Sequence, residues 1–322
     1  MSHAPGGFFV GRDPDLYFTP TKKMNHPIYI CGPTASGKTA LAIEMAKLTD
    51  GEIVNADAYQ IYKGMEVISA APSADELAQA PHHLYGVLGA GELCDAMSYR
   101  EMAQVVISEI QSRGKTPIVT GGSGMYLKFL THGPSPVPAS EEKLRIELEG
   151  ETDEALIEKL TELDPEGAEM TNLKNRRYVI RALEICLLSG QKMSTLKSTW
   201  KAANEESEKS LRGIYLIWDT ETLRQRINQR AEIMLSSGAI QEVADLPSAS
   251  ITCEKAIGVS QIRSHLAGEI SLDECVELIA AATRQYAKRQ RTWFRKEKWL
   301  NSYEIDANTN MANLARDFID SL

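Results

Sequence analysis

A phosphate-binding loop is the most specific chemical signature of this sequence. Residues 32–39 complete the pattern G-x-x-x-x-G-K-[ST], between the apolar runs 28–31 and 40–43. In such a loop, backbone N–H groups at a helix N-terminus surround phosphate oxygens, the lysine adds a positive charge and the last hydroxyl can hold Mg²⁺. The pattern therefore predicts a pyrophosphate-bearing ligand with magnesium. The predicted loop residues are Gly32, Pro33, Thr34, Ala35, Ser36, Gly37, Lys38 and Thr39, of which Thr39 is the predicted metal ligand.

Two other segments that follow apolar runs carry side chains suited to an acceptor substrate. Asp57 can take a proton from an acceptor or help to organise the metal, and the sequence leaves both roles open. Gln60 is either a reader of an adenine edge or an ordinary surface glutamine. Gly121-Gly122 would allow a close backbone approach and the Ser123 hydroxyl can contact an acceptor, although a simple turn has the same composition. No acid follows this run, where an ordinary ATPase would carry one to organise its metal.

Charge is distributed unevenly along the chain. The net charge of −9 alone argues against a nucleic-acid partner, but residues 141–169 hold twelve acidic and three basic side chains and account for that excess. Residues 174–201 and 284–298 each hold seven basic side chains and one acidic one. Each basic segment is either a nucleic-acid-binding surface or a solvated helix face.

Helical spacing predicts where the cations of the last segment point. It aligns Arg284, Lys288, Arg291 and Arg295, here called the basic face, while Tyr286 and Trp293 fall on a stripe predicted to pack in the core rather than to stack on bases. The basic face suits an RNA backbone or a diphosphate. Earlier in the chain, Arg226 and Arg230 are i, i+4 neighbours on a predicted helix, and one of them is predicted to reach the phosphate site as a clamp.

The elements that must position these groups form an α/β pattern. Short apolar runs predict strands, and helical patterns between them indicate a P-loop core with a mainly parallel sheet flanked by helices. A proline-rich stretch at 134–138 marks a boundary, and residues 135–200 are predicted to be a helical insertion domain that grips tRNA. The core would comprise residues 27–134 and 201–322, after an N-terminal tail of residues 1–26. The predicted strands are residues 27–31, 52–55, 116–120 and 213–218.

Composition indicates a cytoplasmic protein. The five cysteines include no C-x-x-C pair, so neither a zinc site nor a disulfide framework is predicted. The first 26 residues lack the uninterrupted apolar segment of a signal peptide, and no run approaches 18 apolar residues, so we expect no membrane partner.

The ordered motifs together resemble those of the tRNA dimethylallyltransferases, also called tRNA isopentenyltransferases, over roughly residues 28–300. The resemblance is to the bacterial type, because the zinc finger of eukaryotic members is not found. The segments that carry it are residues 32–39, Asp57 with 60–65, 81–84, 121–126, 181–184, 256–258 and 283–295.

The resemblance implies transfer of a dimethylallyl group from dimethylallyl diphosphate to N6 of the adenine just 3′ of a tRNA anticodon. It implies that the loop holds the diphosphate with Mg²⁺, that Arg226 assists with Lys38 and Thr39, that Asp57 is the base, and that Ser123 stands where the family usually has Thr. It also implies a monomer that contacts the anticodon stem-loop. The implied tRNA contacts are Asp57, Ala58, Tyr59, Gln60, Ser123, Arg145, Arg177, Arg181, Gly258, Gln261, Arg284, Gln285, Lys288, Arg289 and Arg291.

This sequence departs from the family pattern at three positions. Ala71 replaces a lysine, Gly86 replaces an aspartate that is often found after the histidine pair, and Val259 replaces a tyrosine. An ATP-dependent small-molecule or nucleotide kinase is the competing hypothesis, because a phosphate loop alone would favour it. A non-catalytic, nucleotide-switched RNA-binding protein is a third, although it would not need Asp57 at a strand end.

Overall fold

The fold is built on a parallel six-stranded sheet. The computed structural model describes residues 26–134, 136–246 and 251–322, so the predicted tail at 1–26 lies almost entirely outside the described residues. The strand order is β3-β2-β4-β1-β5-β6, and every pairing within the described sheet is parallel. The α/β prediction is therefore confirmed. The strands are β1 (Ile28–Cys31), β2 (Gly51–Asn55), β3 (His82–His83), β4 (Thr116–Gly121), β5 (Arg212–Ile217) and β6 (Leu300–Glu304).

Helices cover both faces of the sheet and make up the segment between β4 and β5. A π-helical turn at Leu235–Ala239 links two of them where Gly238 has a φ of 104°. The helices are α1 (Lys38–Thr49), α2 (Ala74–Leu77), α3 (Ala96–Ser112), α4 (Gly124–His132), α5 (Glu142–Glu149), α6 (Asp153–Leu163), α7 (Pro165–Met170), α8 (Arg176–Ser189), α9 (Met193–Glu208), α10 (Thr220–Met234), α11 (Ile240–Asp245), α12 (Ile251–Glu254), α13 (Val259–Leu266), α14 (Leu272–Phe294) and α15 (Met311–Asp320).

Alternation along the central strands builds two apolar layers. Ile28 and Ile30 of β1 point to one face and pack with α1 and α15, whereas Tyr29 and Cys31 point to the other and pack with α3 and α14. Successive strand side chains point to opposite faces, and a strand covered on both sides is therefore apolar throughout. Because β1 and β2 both run parallel to β4, the phosphate loop and Asp57 follow their strands at the same end of the sheet.

The helices from α5 to α9 have an apolar cluster of their own. Leu160, Val179 and Leu183 are among its buried members, and no residue of the two sheet-packed clusters belongs to it. Helix α9 continues to Glu208, past the predicted boundary at residue 200, and Glu208 Oε1 lies 2.7 Å from His132 Nε2 at the end of α4. No helix among the described residues is long and apolar enough to cross a membrane.

Candidate active site

The phosphate loop joins β1 to α1. Its last glycine, Gly37, has a φ of 87°, a conformation that L side chains rarely adopt. Lys38 Nζ folds back to donate to the carbonyl oxygens of Gly32 and Pro33, at 3.1 and 2.9 Å. Trp218, just after β5, supports the loop from outside by donating from Nε1 to Ser36 O at 3.1 Å. The loop is therefore held in shape by the protein itself.

Three cations converge on the pocket in front of this loop, which has a volume of about 530 Å³. Lys38 is joined by Arg226 and Arg230 from α10, so both members of the predicted i, i+4 pair line it, not one. Arg226 Nε donates to Ala35 O at 2.9 Å, and its guanidinium lies 4.5 Å from the centre of the Trp218 ring. The pKa of Lys38 is lowered to about 8, chiefly by burial; Asp57 opposes this shift and Arg230 adds to it. Burial also lowers the pKa of Arg230.

The turn after β2 positions Asp57 in the same pocket. The buried Asn55 side chain accepts from Asp57 N at 2.8 Å and donates to Leu84 O at 2.9 Å, which fixes the backbone at this point. Asp57 Oδ1 accepts from Tyr59 N at 3.0 Å, and Oδ2 faces Gly122. One carboxylate oxygen is thus held by the backbone, while the other faces the end of β4, where an acceptor would have to lie.

The end of β4 faces Asp57 across this turn. Ser123 Oγ accepts from Ala58 N at 2.8 Å, and Ser123 also interacts with the Tyr286 hydroxyl of α14. Burial, followed by the charge of Asp57, raises the pKa of Tyr286, which therefore stays protonated. The structure thus brings Asp57 and Ser123 together beside the phosphate loop.

Gln290 of α14 is a site residue that sequence reasoning missed. Its buried side chain accepts from Thr34 N at 2.8 Å and donates to Gly122 O at 3.0 Å, which ties the phosphate loop to the end of β4. The glycines at this turn make room for the protein rather than for a ligand, since a Cβ on Gly122 would lie 2.1 Å from Gln290 Nε2. The available signal was a polar residue on the apolar stripe formed by Ala287 and Phe294.

A second, mostly apolar cavity adjoins the phosphate pocket. It has a volume of about 60 Å³ and is lined largely by aliphatic side chains of α10, of α14 and of the turn that precedes α13. The two cavities share four lining residues: Thr34, Asp57, Ser69 and Arg230. Charged and apolar parts of one ligand could therefore bind on either side of Asp57.

Several predicted tRNA contacts are already engaged within the protein. Gln60 Nε2 donates to the carbonyls of Ser69 and Ala70, at 3.2 and 2.9 Å. Gly258 has a φ of 104° at the start of α13, and Gln261 Oε1 accepts from its N–H at 3.0 Å. Tyr59 donates from its hydroxyl to Lys255 O at 3.1 Å. These contacts shape the wall of the site.

The arginines predicted within the helical segment differ in their surroundings. Glu184 is fully buried, and its carboxylate lies 3.6 Å from Arg145 Nε and 3.3 Å from Arg181 Nη1. Arg181 also donates to Pro138 O at 2.6 Å. Arg177, in contrast, is exposed. Arg145 and Arg181 therefore have a structural role, whatever they contact in RNA.

The basic face lies along α14 beside α10. Arg284 donates to Asn228 Oδ1 at 2.6 Å and Arg291 to Thr220 Oγ1 at 2.9 Å. Lys288, Arg289 and Gln285 are exposed. Trp293 packs against the core cluster, as predicted, and its ring also lines an open cleft.

The phosphate pocket has the donor set that magnesium prefers. Thr39 and Asp57 both line it, and Mg²⁺ is usually held by one or two protein oxygens together with substrate phosphates and water. Ser36 Oγ and Thr120 Oγ1 are buried in the same wall and, within the described residues, have no hydrogen-bond partner. The residues present thus fit the ion that the loop pattern implies.

A second group of potential metal ligands lies elsewhere. His132, Glu208 and Glu297 have ligand atoms within 4.8 Å of one another. Lys128 Nζ lies 3.1 Å from Glu297 Oε2 and 4.0 Å from Glu208 Oε1, so an ammonium group already balances these carboxylates. Burial lowers the pKa of His132. We therefore interpret this group as an ion-pair cluster that joins α4 to α9.

Comparison with known structures places the site in context. The fold matches a crystal structure of a tRNA isopentenylpyrophosphate transferase from Staphylococcus epidermidis at 31% identity and a TM-score of 0.64, covering 92% of this chain and 98% of that one. A structure described as a eukaryotic dimethylallyltransferase acting on tRNA matches at 26% identity and a TM-score of 0.72, covering 92% and 80%.

Sequence comparison gives the same assignment. The chain is 41% identical to a tRNA dimethylallyltransferase of Akkermansia muciniphila, covering 92% of this chain and 99% of that protein. It is 39% identical to a tRNA dimethylallyltransferase of Geobacter sulfurreducens, covering 87% and 92%. The family model described as IPP transferase matches residues 60–297. The resemblance inferred from the motifs is therefore confirmed, and this chain belongs to the IPP transferase family.

Proposed function

We propose that this protein transfers a dimethylallyl group from dimethylallyl diphosphate to N6 of the adenine just 3′ of a tRNA anticodon, releasing diphosphate. One observation carries the proposal: Asp57 belongs to the walls of both the cationic phosphate pocket and the apolar cavity. The bond to be broken joins a diphosphate to a hydrocarbon, so it would lie at the junction of these two spaces, next to a carboxylate.

The donor would bind across that junction. Its diphosphate would lie on the loop with Lys38, Arg226 and Arg230, and its five-carbon chain would enter the apolar cavity. This cavity of about 60 Å³ offers that chain a mostly apolar wall next to the phosphate pocket. Bound Mg²⁺, held by Thr39 and the diphosphate, would supply further neutralisation of the leaving group.

The chemistry requires a stabilised leaving group and a base. As the N6 lone pair forms a bond to C1 of the dimethylallyl group, the C1–O bond to diphosphate breaks and negative charge collects on the departing oxygens. Lys38 and the two arginines stabilise that charge. The proton lost from N6 would pass to Asp57, whose Oδ2 faces the acceptor side, while Ser123 would contact the adenine.

The acceptor would be an unstacked base of the anticodon loop, because RNA loops can present single bases at modest cost. We propose that the helical segment 135–200 acts as an insertion domain that grips the anticodon stem, with the core formed by 27–134 and 201–322. We also propose that the enzyme is a monomer and acts in the cytoplasm. A kinase is not favoured, because β4 ends in Gly121-Gly122-Ser123 rather than in an acid.

The direct test is mass analysis of adenosine from tRNA incubated with the protein, Mg²⁺ and dimethylallyl diphosphate. We expect a dimethylallyl adduct at the adenine that follows the anticodon, with ATP neither required nor hydrolysed at a comparable rate. ATP hydrolysis without tRNA that disappears in Lys38→Ala would contradict the proposal.

The role of Asp57 needs a separate measurement. Asp57→Ala should lower turnover by about 10²–10⁴-fold, as expected for loss of a general base, while donor binding stays within a few-fold. Loss of Mg²⁺-dependent diphosphate binding with normal turnover at saturating donor would instead show that Asp57 organises the metal.

A further inference from the structure

An open cleft lies beside α4 and the C-terminal part of α14. Its volume of about 720 Å³ is within the range of roughly 300–1,000 Å³ typical of ligand sites. Residues of α4, α8, α9 and α14 line it, so it lies where the helical segment meets the sheet-packed helices. No residue that lines it also lines the phosphate pocket or the apolar cavity.

The cleft combines aromatic side chains with cations. Phe129, Tyr178, Trp200 and Trp293 contribute four rings, and 58% of Tyr178 is exposed. A cluster of exposed aromatic surface at the joint between two groups of helices is characteristic of a binding site rather than of a core.

The charge in the cleft is positive. Lys128, Lys288, Arg289 and Lys296 line it against Glu297 alone, and Glu297 is paired with Lys128 at 3.1 Å. Aromatic faces beside unneutralised cations are the surface that single-stranded nucleic acid binds, because each base has a face to stack and each phosphate a charge to neutralise.

The cleft and the acceptor site share two helices. Ser123 contacts the turn that carries Asp57, whereas Met125, two residues later, lines the cleft. Between them, Gly124 packs against Trp293 so closely that a Cβ would lie 2.5 Å from the indole Nε1. Two Cα–Cα steps of 3.8 Å separate these residues, so the Cα atoms of Ser123 and Met125 are at most about 7.6 Å apart.

We propose that this aromatic cleft binds a second unstacked nucleotide of the anticodon loop, a neighbour of the acceptor adenine, by stacking its base on Tyr178, the most exposed of the four rings. The proposal rests on the proposed function, because it takes the anticodon loop as the RNA that reaches Ser123. The bound neighbour would keep the loop open and thereby hold the acceptor base in its extruded position.

The test compares Tyr178→Ala with Tyr178→Phe, using fluorescence anisotropy of a labelled anticodon stem-loop. Loss of one stack should weaken binding by about 5- to 150-fold in Tyr178→Ala, whereas Tyr178→Phe keeps the ring and should stay within about 2-fold. Leu187→Ala, also an exposed truncation on α8, should bind like the wild type. Equal affinity in Tyr178→Ala and Leu187→Ala would overturn the proposal, as would equal losses in Tyr178→Ala and Tyr178→Phe.

Tryptophan fluorescence reports on RNA binding in the cleft and does not depend on turnover. The stem-loop should quench the wild-type signal, and Trp200→Phe should lose much of that quenching while Trp299→Phe, which packs on Tyr29, should retain it. Trp218 supports the phosphate loop, so dimethylallyl diphosphate can change its signal from the donor pocket. Quenching by dimethylallyl diphosphate alone that disappears in Trp200→Phe would show that the cleft is a donor site, which overturns the proposal. If RNA binds as described but no dimethylallyl product forms, the proposed function fails while the cleft assignment stands.

Discussion

Gln290 offers a quantitative test of how the site is held together. Its side chain joins Thr34 N and Gly122 O through two hydrogen bonds, at 2.8 and 3.0 Å. Gln290→Leu keeps a similar volume but removes both partners. Each of the two polar groups left unpaired, Thr34 N and Gly122 O, costs about 1–3 kcal/mol. The added apolar burial of the leucine returns about 1 kcal/mol. We therefore expect the free energy of unfolding to fall by about 1–5 kcal/mol, measured by urea denaturation.

The same variant should also weaken diphosphate binding. Thr34 is part of the phosphate loop, and releasing one residue from a fixed conformation costs about 1–2 kcal/mol when the ligand must order it again. This predicts a Kd for inorganic pyrophosphate that is higher by about 5- to 30-fold, measured by calorimetry. The Kd of Gln290→Glu should lie between those of the wild type and of Gln290→Leu. Its carboxylate can still accept from Thr34 N but cannot donate to Gly122 O.

Gln285→Leu is the matched control, because Gln285 is exposed on the same helix. Its stability should stay within about 0.5 kcal/mol of the wild type. If Gln290→Leu matched Gln285→Leu in both the urea midpoint and the pyrophosphate affinity, the link between loop and strand would contribute nothing, and this interpretation of α14 would be refuted.

Three further predictions concern charge. Burial lowers the pKa of Lys38 to about 8, so above that pH the Lys38 ammonium group of the unliganded protein loses its proton. Diphosphate binding requires the charged form, and the affinity for pyrophosphate should therefore fall by up to tenfold per pH unit above 8. Lys38→Met should flatten this pH dependence. Replacing Arg284, Lys288 and Arg291 of the basic face by alanine should weaken tRNA binding. It should also reduce the slope of log affinity against log salt concentration by up to about one unit for each lost phosphate contact. An unchanged slope in a folded variant would show that this face is merely solvated. Arg181→Ala should lower the free energy of unfolding by up to about 3 kcal/mol because Glu184 is fully buried and would keep only one arginine; urea denaturation would decide, and an unchanged midpoint would contradict the structural role.

Local patterns were sufficient for the centre of the sheet and for placing the loop 32–37 between β1 and α1. The four predicted strands correspond to β1, β2, β4 and β5, which are buried and apolar and therefore have a strong signal. The sequence did not indicate β6, because this edge strand reads Leu300-Asn-Ser-Tyr-Glu and is largely exposed. It also did not indicate β3, which is only two residues long.

Long-range contacts explain what sequence reasoning could not reach. Gln290 is 256 residues from Thr34 and 168 from Gly122 in the chain, so no local pattern could connect them. Likewise, Arg181 looks like a free cation in a basic segment until the buried Glu184 and the carbonyl of Pro138 are brought beside it. A count of charges predicts a surface but not which of its cations are already paired.

Helix α14 is a single stiff rod of 23 residues, about 35 Å long, without a glycine or proline at which it could bend. Gln290 fastens it to the phosphate loop, Tyr286 reaches the acceptor side through Ser123, and Trp293 lines the aromatic cleft. A displacement at one of these points would be transmitted to the others, because a helix without a glycine or proline moves as one unit. In the proposed function, diphosphate and RNA would therefore bind at points along the same helix. If bound RNA raises the affinity for diphosphate by some factor, bound diphosphate must raise the affinity for RNA by the same factor.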